Sequence, residues 1–469
     1  MKNLITISII LIASTFTLHA QEKPNVLVIV VDDLGGVDLG SYGSTFHETP
    51  NIDALATSGM RFTDAYSAST VCSSTRAALQ TGKAPERLKI TDWIPGNENI
   101  EIGKPITTPL ILNELPYSET TIAEAFKENG YKTFYAGKWH IGAEGYHPDQ
   151  HGYDINIGGY HAGQPESYYA PYNNPRLEEG PTGEFLTDRL TDETLDFMKN
   201  QGDEPFFAML AFYTVHTPIT AAKPYIEHYQ AKADALPKIP STTRPEKNDT
   251  LSRLRQDNPE YASMIHSLDL NVGRLLDGMA HMGLDKNTIV VFTSDNGGLS
   301  TLKRLAPTST LPHRAGKGWV YEGGIRVPMM IRAPGVTKPG TTSSEPVISM
   351  DIAPTLLDLA GINKSEMNAV DGNSLKGVLT NGDELDRKAI RVYYPHYHGS
   401  YSEPSYMVRE GDWKLIYFYE RDETELYNLA LDLGEQYNRA ADHPEMATRI
   451  KSEMQDWLNS IGAEQPKRK

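Results

Sequence analysis

Among 469 residues there is one cysteine, Cys72, followed by Ser73-Ser74-Thr75 and then Arg76. The three hydroxyl residues are N-cap types, Arg76 to Gln80 are good helix formers and Gly82 is a helix-stop residue, which predicts a short helix with Cys72 at its start. A helix N-terminus presents unpaired N–H groups and positive partial charge, which suits an anionic ligand or an ionised nucleophile. Arg76, one turn on, can donate to oxygens near residue 72. Elsewhere Asp32-Asp33 and Asp295-Asn296 offer four hard oxygen side chains, the donor set of Ca²⁺ or Mg²⁺ rather than of a soft metal. Singly these pairs read as turn caps; brought together, their carboxylates repel unless a cation lies between them. Lys138 and Lys317 are point charges for oxyanions, and His140 and His216 can move protons near neutral pH. Together the set describes a site for an ester of a tetrahedral oxyanion.

These residues need a scaffold that brings them to one place. Apolar runs at Val26–Val31, Thr133–Ala136, Phe206–Val215 and Thr288–Thr293 read as buried parallel strands, each followed at once by one of the polar clusters. Helical patterns at Ser118–Asn129, Leu186–Asn200 and Pro259–Met282 lie between them. The expectation is an α/β fold, a doubly wound and mostly parallel sheet flanked by helices, with ligands at the carboxyl ends of the strands. Residues 236–250 read as a surface loop and Glu322-Gly323-Gly324 as a tight turn into a further strand. Helix-like Asp351–Gly361 precedes a change of pattern, with strands at Ala389–Tyr394, Tyr406–Arg409 and Trp413–Tyr419 and a helix near Glu445–Ile461. We therefore expect a catalytic domain at 21–385 and a smaller C-terminal α+β domain at 386–469.

Residues 1–20 have the shape of an export signal, with Lys2, an uncharged apolar middle and Ala20 before a polar Gln21-Glu22-Lys23. The expectation is an exported, periplasmic or secreted protein, with no membrane span in the mature chain. A single cysteine allows no internal disulfide, so Cys72 is kept for another reason. The formal net charge of −17 repels nucleic acid and anionic membrane surfaces, so no nucleic acid partner is expected.

Pro24-Asn25-Val26 through Asp32-Asp33, Thr49-Pro50-Asn51-Ile52-Asp53-Ala54-Leu55-Ala56, Cys72 through Lys83, Gly137-Lys138-Trp139-His140, Ser294-Asp295-Asn296-Gly297-Gly298, and Lys317 with Glu322-Gly323-Gly324 together resemble the formylglycine-dependent type I sulfatases of the alkaline phosphatase superfamily. The blocks occur in family order across nearly the whole chain. The resemblance implies that a formylglycine-generating maturation enzyme oxidises Cys72 to formylglycine (3-oxoalanine), whose hydrate attacks sulfur. It implies Ca²⁺ held by Asp32, Asp33, Asp295, Asn296 and a hydrate oxygen at position 72. Arg76 and His140 would orient and deprotonate the hydrate, Lys138 and Lys317 would bind sulfate oxygens, and His216, with Lys317, would protonate the leaving alcohol. The covalent sulfate would then leave by elimination, regenerating the aldehyde. The family motif is most often Cys-x-Pro-x-Arg, sometimes with Ala third; here the third place is Ser74.

The expected substrate is a sulfated carbohydrate, attacked from a chain end during polysaccharide degradation. Tyr393-Tyr394-Pro395-His396-Tyr397-His398 offers stacking and hydrogen-bonding groups for a sugar, and Asp92-Trp93-Ile94-Pro95 can wall the pocket. Two alternatives compete: a phosphatase or phosphodiesterase of the same superfamily, and an unmatured homologue that only binds glycans. Two-zinc phosphatases need further His and Asp ligands, such as an Asp-His pair where this chain has Asp295-Asn296.

Overall fold

The computed structural model describes residues 23–96 and 98–469, so the 1–20 segment expected to direct export lies outside the described residues. The expected strands form. Asn25–Val31 pairs in parallel with Thr288–Ser294 on one side and Phe206–Ala211 on the other; Lys132–Gly137 and Ile155–Ile157 extend the parallel array. Met329–Arg332 runs antiparallel to Thr288–Ser294 and to Met60–Phe62, and Thr341–Ser343 completes an eight-stranded sheet.

Both faces of this sheet are covered, which is why its central strands are buried at every position and mostly apolar. Val26, Val28 and Val30 pack in one core, beneath the Ile122–Glu128 and Ile352–Leu359 helices; Leu27, Ile29 and Val31 pack in the other, beneath Pro50–Ser58, Leu186–Lys199 and Pro259–His281. The Ile122–Glu128 helix starts on a Thr121–Glu124 capping box, which makes it shorter than the apolar pattern from Ser118. No helix among the described residues is long and apolar enough to cross a membrane.

The Phe206–Val215 run is a strand only as far as Ala211. The Phe212 N–H still reaches the Val30 carbonyl, but the chain then curls: the His216 N–H returns to the Tyr213 carbonyl, and Thr214 and Val215 clasp the backbone of Asp32. The 236–250 segment is not all loop. Thr243–Glu246 and Thr250–Arg253 form a hairpin that Thr301–Leu302 joins, with Pro245 on the outer strand, where a missing N–H costs no ladder bond. Its tip, Asn248 and Asp249, lies at φ 59° and 56°, the left-handed conformation that these two residue types tolerate in tight hairpin turns. The expected turn at Glu322 is one turn of helix, Glu322–Ile325, leading to the Met329–Arg332 strand.

The C-terminal portion contains a four-stranded antiparallel sheet, Ile390–Tyr394, Ser405–Glu410, Trp413–Phe418 and Glu423–Asn428, backed by the Pro444–Ser460 helix. The last strand has no counterpart in the sequence reading, because Glu423, Thr424 and Glu425 break the apolar alternation. Glu425 nevertheless points inward, where it accepts from Tyr321 and Tyr427 and meets Lys247.

Candidate active site

Strand register brings the polar clusters together. Val31 pairs with Ser294, so Asp32 and Asp295 leave adjacent strands at the same height, and the Asp33 N–H donates to Asp295 Oδ1 (3.2 Å). Gly137 pairs with Ala211, placing Lys138 and, after the curl, His216 beside them. Asp33 and His140 sit at φ 60° and 61°, a conformation that costs about 1–2 kcal/mol in a residue with a Cβ and that collects at functional sites.

Cys72 is the first residue of the Cys72–Thr81 helix, which stops at Gly82 in the left-handed conformation (φ 66°). The cap differs from expectation: Val71 occupies the N-cap and no hydroxyl caps the helix. Ser73, Ser74 and Thr75 lie inside the first turn and bond elsewhere. Ser73 Oγ donates to the His140 carbonyl (2.8 Å) and accepts from the Ile94 N–H (3.0 Å), and Ser74 Oγ donates to the Asp92 carbonyl (3.3 Å). The segment after the nucleophile helix is thereby tied to it, and Tyr394 and His396 tie it to the C-terminal sheet: the Tyr394 hydroxyl donates to Asp92 Oδ1 (2.8 Å) and His396 Nε2 pairs with Thr91 Oγ1 (2.8 Å).

Around Cys72 the charges are buried and paired. Lys138 Nζ holds both oxygens of Asp32 (2.9 and 2.8 Å), Lys317 Nζ holds Asp33 Oδ1 (2.6 Å) and lies 3.3 Å from Cys72 Sγ, and Arg76 holds Asp295 through Nε (2.9 Å) and Nη2 (2.7 Å). Cys72 Sγ is 3.6 Å from Asp32 Oδ1, and His216 Nε2 is 3.7 Å from Asp33 Oδ2. Burial lifts the Asp32 carboxyl well above the usual carboxylate range despite Lys138. Burial also pushes on Asp33, but Lys317 and His216 outweigh it and hold that carboxyl low; Arg76 and Lys138 do the same for Asp295. Burial, aided by Lys138, keeps His140 well below the usual imidazole range, and burial with Lys317 lowers His216.

The donor set fits a hard cation. Oxygens of Asp32 and Asp33, Cys72 Sγ and a ring nitrogen of His216 all lie within 4.8 Å of one another. Asn296 Nδ2 donates to Asp33 Oδ1 (2.8 Å), which leaves Asn296 Oδ1 buried with no hydrogen-bond partner. An orphaned oxygen beside three buried carboxylates is what a divalent cation satisfies.

A cavity of about 530 Å³ opens over this cluster, within the usual range of small-molecule sites. Asp33, Cys72, His140, His216 and Lys317 reach it, whereas Asp32, Arg76, Lys138, Asp295 and Asn296 form the layer beneath. Its walls include Trp93, Ile94 and Pro95, as the sequence suggests, and His398 from the Tyr393–His398 run. His161, Gln164, Leu299, Leu302 and Ser400 also line it, and sequence reasoning missed them. The loop around Gly158, Gly159 and Gly163 was the available signal for the first two, because it directly follows the Ile155–Ile157 strand at the same end of the sheet.

Comparison with known proteins agrees with this architecture. The sulfatase family model matches residues 24–362, and the model of the N-sulphoglucosamine sulphohydrolase C-terminal region matches residues 315–464. A sulfatase of Formosa agariphila is 30% identical, over 96% of this chain and 92% of its own. The N-acetylgalactosamine-6-sulfatase of Homo sapiens is 32% identical, over 78% of this chain and 68% of its own. The crystal structure of Ps i-CgsB superposes with a TM-score of 0.75 at 28% identity, covering 93% of this chain and 92% of that one, and the same protein is also known in complex with k-i-k-neocarrahexaose. With its strand-end cluster, its helix-borne cysteine and its two-part fold, the chain belongs to the sulfatase family of sulfate ester hydrolases.

Proposed function

We propose that this protein is an exported, exo-acting carbohydrate sulfatase that uses a formylglycine made from Cys72 and a Ca²⁺ ion, and that its C-terminal domain begins near Asp386. The observation that carries the reading is the placement of Cys72: first in its helix, inside the ring formed by Asp32, Asp33, Lys317 and His216, at the floor of the cavity. Oxidised by a maturation enzyme, Cys72 supplies a hydrated aldehyde, with one hydroxyl to attack sulfur and a second to expel the sulfate. Asp32, Asp33, Asp295 and Asn296 would hold the Ca²⁺ ion, which would supply positive charge to stabilise the ionised nucleophile.

The protein's own groups do the rest. Burial favours the neutral His140 ring, and Nε2 donates to the Ile94 carbonyl (2.7 Å), which leaves Nδ1 unpartnered, the state of a general base. Arg76 steadies the site twice, by its grip on Asp295 and by donating from Nη1 to the Lys138 carbonyl (2.6 Å). Lys138 and Lys317 would bind sulfate oxygens; in this structure they hold Asp32 and Asp33, two of the carboxylates that would bind the divalent cation. His216 Nδ1 donates to the Thr217 carbonyl (2.8 Å), so Nε2, 3.7 Å from Asp33 Oδ2, is the atom that would take up a second proton and pass it to the departing alcohol, with Lys317 beside it.

The sulfated sugar substrate is supported by the relatives named above and by the Trp93 and histidine walls of the cavity. Turnover of 4-nitrophenyl sulfate against 4-nitrophenyl phosphate, with and without a chelator, tests the chemistry. The reading requires faster sulfate turnover that the chelator removes and Ca²⁺ restores; faster phosphate turnover overturns it.

A further inference from the structure

A second cavity, of about 500 Å³, adjoins the catalytic one, and His398 lines both. Five separate segments build it: the chain around Lys104, the tip of the Thr243–Arg253 hairpin, Lys303, the loop from Tyr397 to Glu403, and Glu420. The hairpin tip is fastened to that loop, since Asn248 Nδ2 donates to the Tyr401 carbonyl (2.8 Å), and Tyr401 itself sits at φ 67°. Two ammonium groups stand on aromatic faces here, Lys104 Nζ at 4.9 Å from the Tyr397 ring centre and Lys303 Nζ at 4.5 Å from that of Tyr401. Both lysines are exposed, and neither has a carboxylate partner among the described residues. Three carboxylates share the wall: Glu403 is held by Arg421 (2.7 Å), and Asp249 and Glu420 remain as acceptors for hydroxyl groups.

We infer that this cavity receives the sugar unit linked to the one being desulfated, and that Lys104 and Lys303 bind an anionic substituent on that neighbouring unit, a sulfate ester or a carboxylate. The inference rests on the carbohydrate reading above. In a chain of net charge −17, two ammoniums beside the catalytic mouth, with no carboxylate partner among the described residues, supply local attraction that a second anionic group needs. Tyrosine faces hold the ammoniums in place and present apolar edges to a sugar ring. Selectivity would follow: an oligosaccharide with two adjacent anionic units gains contacts that a sulfated monosaccharide lacks.

The test is the Lys104→Ala/Lys303→Ala double variant in the full-length matured enzyme, with 4-nitrophenyl sulfate, a sulfated monosaccharide, and chondroitin 6-sulfate and neocarra-oligosaccharides as substrates. Binding of the same oligosaccharides to Cys72→Ala protein, with and without the lysine changes, is measured by calorimetry. The expected result is a loss of roughly tenfold or more per lysine in oligosaccharide affinity and in kcat/KM, carried by KM, with the two small substrates unchanged. Uronate-bearing and sulfate-only oligosaccharides distinguish the two anionic groups. Oligosaccharides that bind and react equally well without the lysines overturn the inference and leave the carbohydrate reading standing. Hydrolysis of the aryl ester with no binding or hydrolysis of any glycan overturns both.

Discussion

At the scale of single residues, chemistry was legible wherever a residue type is costly unless used. Buried paired carboxylates at Asp32-Asp33, a lone cysteine and histidines at strand ends are poor choices for structure alone, and all reach the site. The division between cavity lining and supporting layer was not legible, because it depends on which side of a strand end each side chain takes. His216 lines the cavity, and if it serves the departing alcohol as proposed, His216→Asn lowers kcat about 10²-fold to 10⁴-fold in steady-state assays with little change in the folded fraction. Asp92 offers a test by pH. Burial lifts its carboxyl to about 7, although the Tyr394 hydroxyl and the Trp93 N–H both donate to Oδ1. A carboxyl lifted by folding holds its proton more tightly folded than unfolded, so its contribution is full at low pH and is lost as pH rises from about 4 to about 7. Denaturant titrations should show wild-type stability falling relative to Asp92→Asn across that window, by a few kcal/mol at most; parallel curves would remove the assignment.

At the scale of elements, periodicity located the parallel strands and the long helices because each is buried on a face that its pattern describes. What it missed has local causes. The hairpin at 243–253 carries a proline and a polar tip, and the strand at Glu423–Asn428 carries inward carboxylates whose partners lie far along the chain. The helix bearing Cys72 was placed correctly while its cap was not, since Ser73 and Ser74 bond to distant segments and Thr75 bonds to Ser69. The hydroxyl of Ser74, where the family motif usually has proline, donates to the Asp92 carbonyl and so braces the segment that walls the pocket from behind. Gly82 ends that helix at φ 66°, and a Cβ there would lie 3.0 Å from Val370 Cγ1. Gly82→Ala should therefore cost about 1–3 kcal/mol by chemical denaturation, from left-handed strain and crowding together; an unchanged midpoint would contradict this view of the helix stop.

At the scale of the whole molecule, the C-terminal sheet is part of the active site's support. Its Tyr394 and His396 hold the 91–95 segment that walls the cavity, and its Lys414 is fully buried between Glu322 (2.8 Å) and Glu435 (2.7 Å). Glu322 opens the short helix that follows Lys317, so this ion cluster joins the C-terminal sheet to the strand-end machinery. Lys414→Ala leaves Glu435 buried without its cation and Glu322 with Arg326 alone (3.1 Å), and should cost about 3–5 kcal/mol in urea unfolding, whereas Lys414→Arg should recover part of it. The sequence showed that two regions exist; it could not show that they share one site, since contacts such as Lys414 with Glu322 join residues far apart in the chain.

The central claim is that Cys72 becomes the nucleophile. Its most direct test is the mass of the tryptic peptide Phe62–Arg76 from exported, active protein. The account predicts a peptide in which the thiol of Cys72 is replaced by an aldehyde, at a fraction that tracks specific activity across preparations. A peptide carrying only the unmodified thiol, from protein that hydrolyses sulfate esters at full rate, would contradict it.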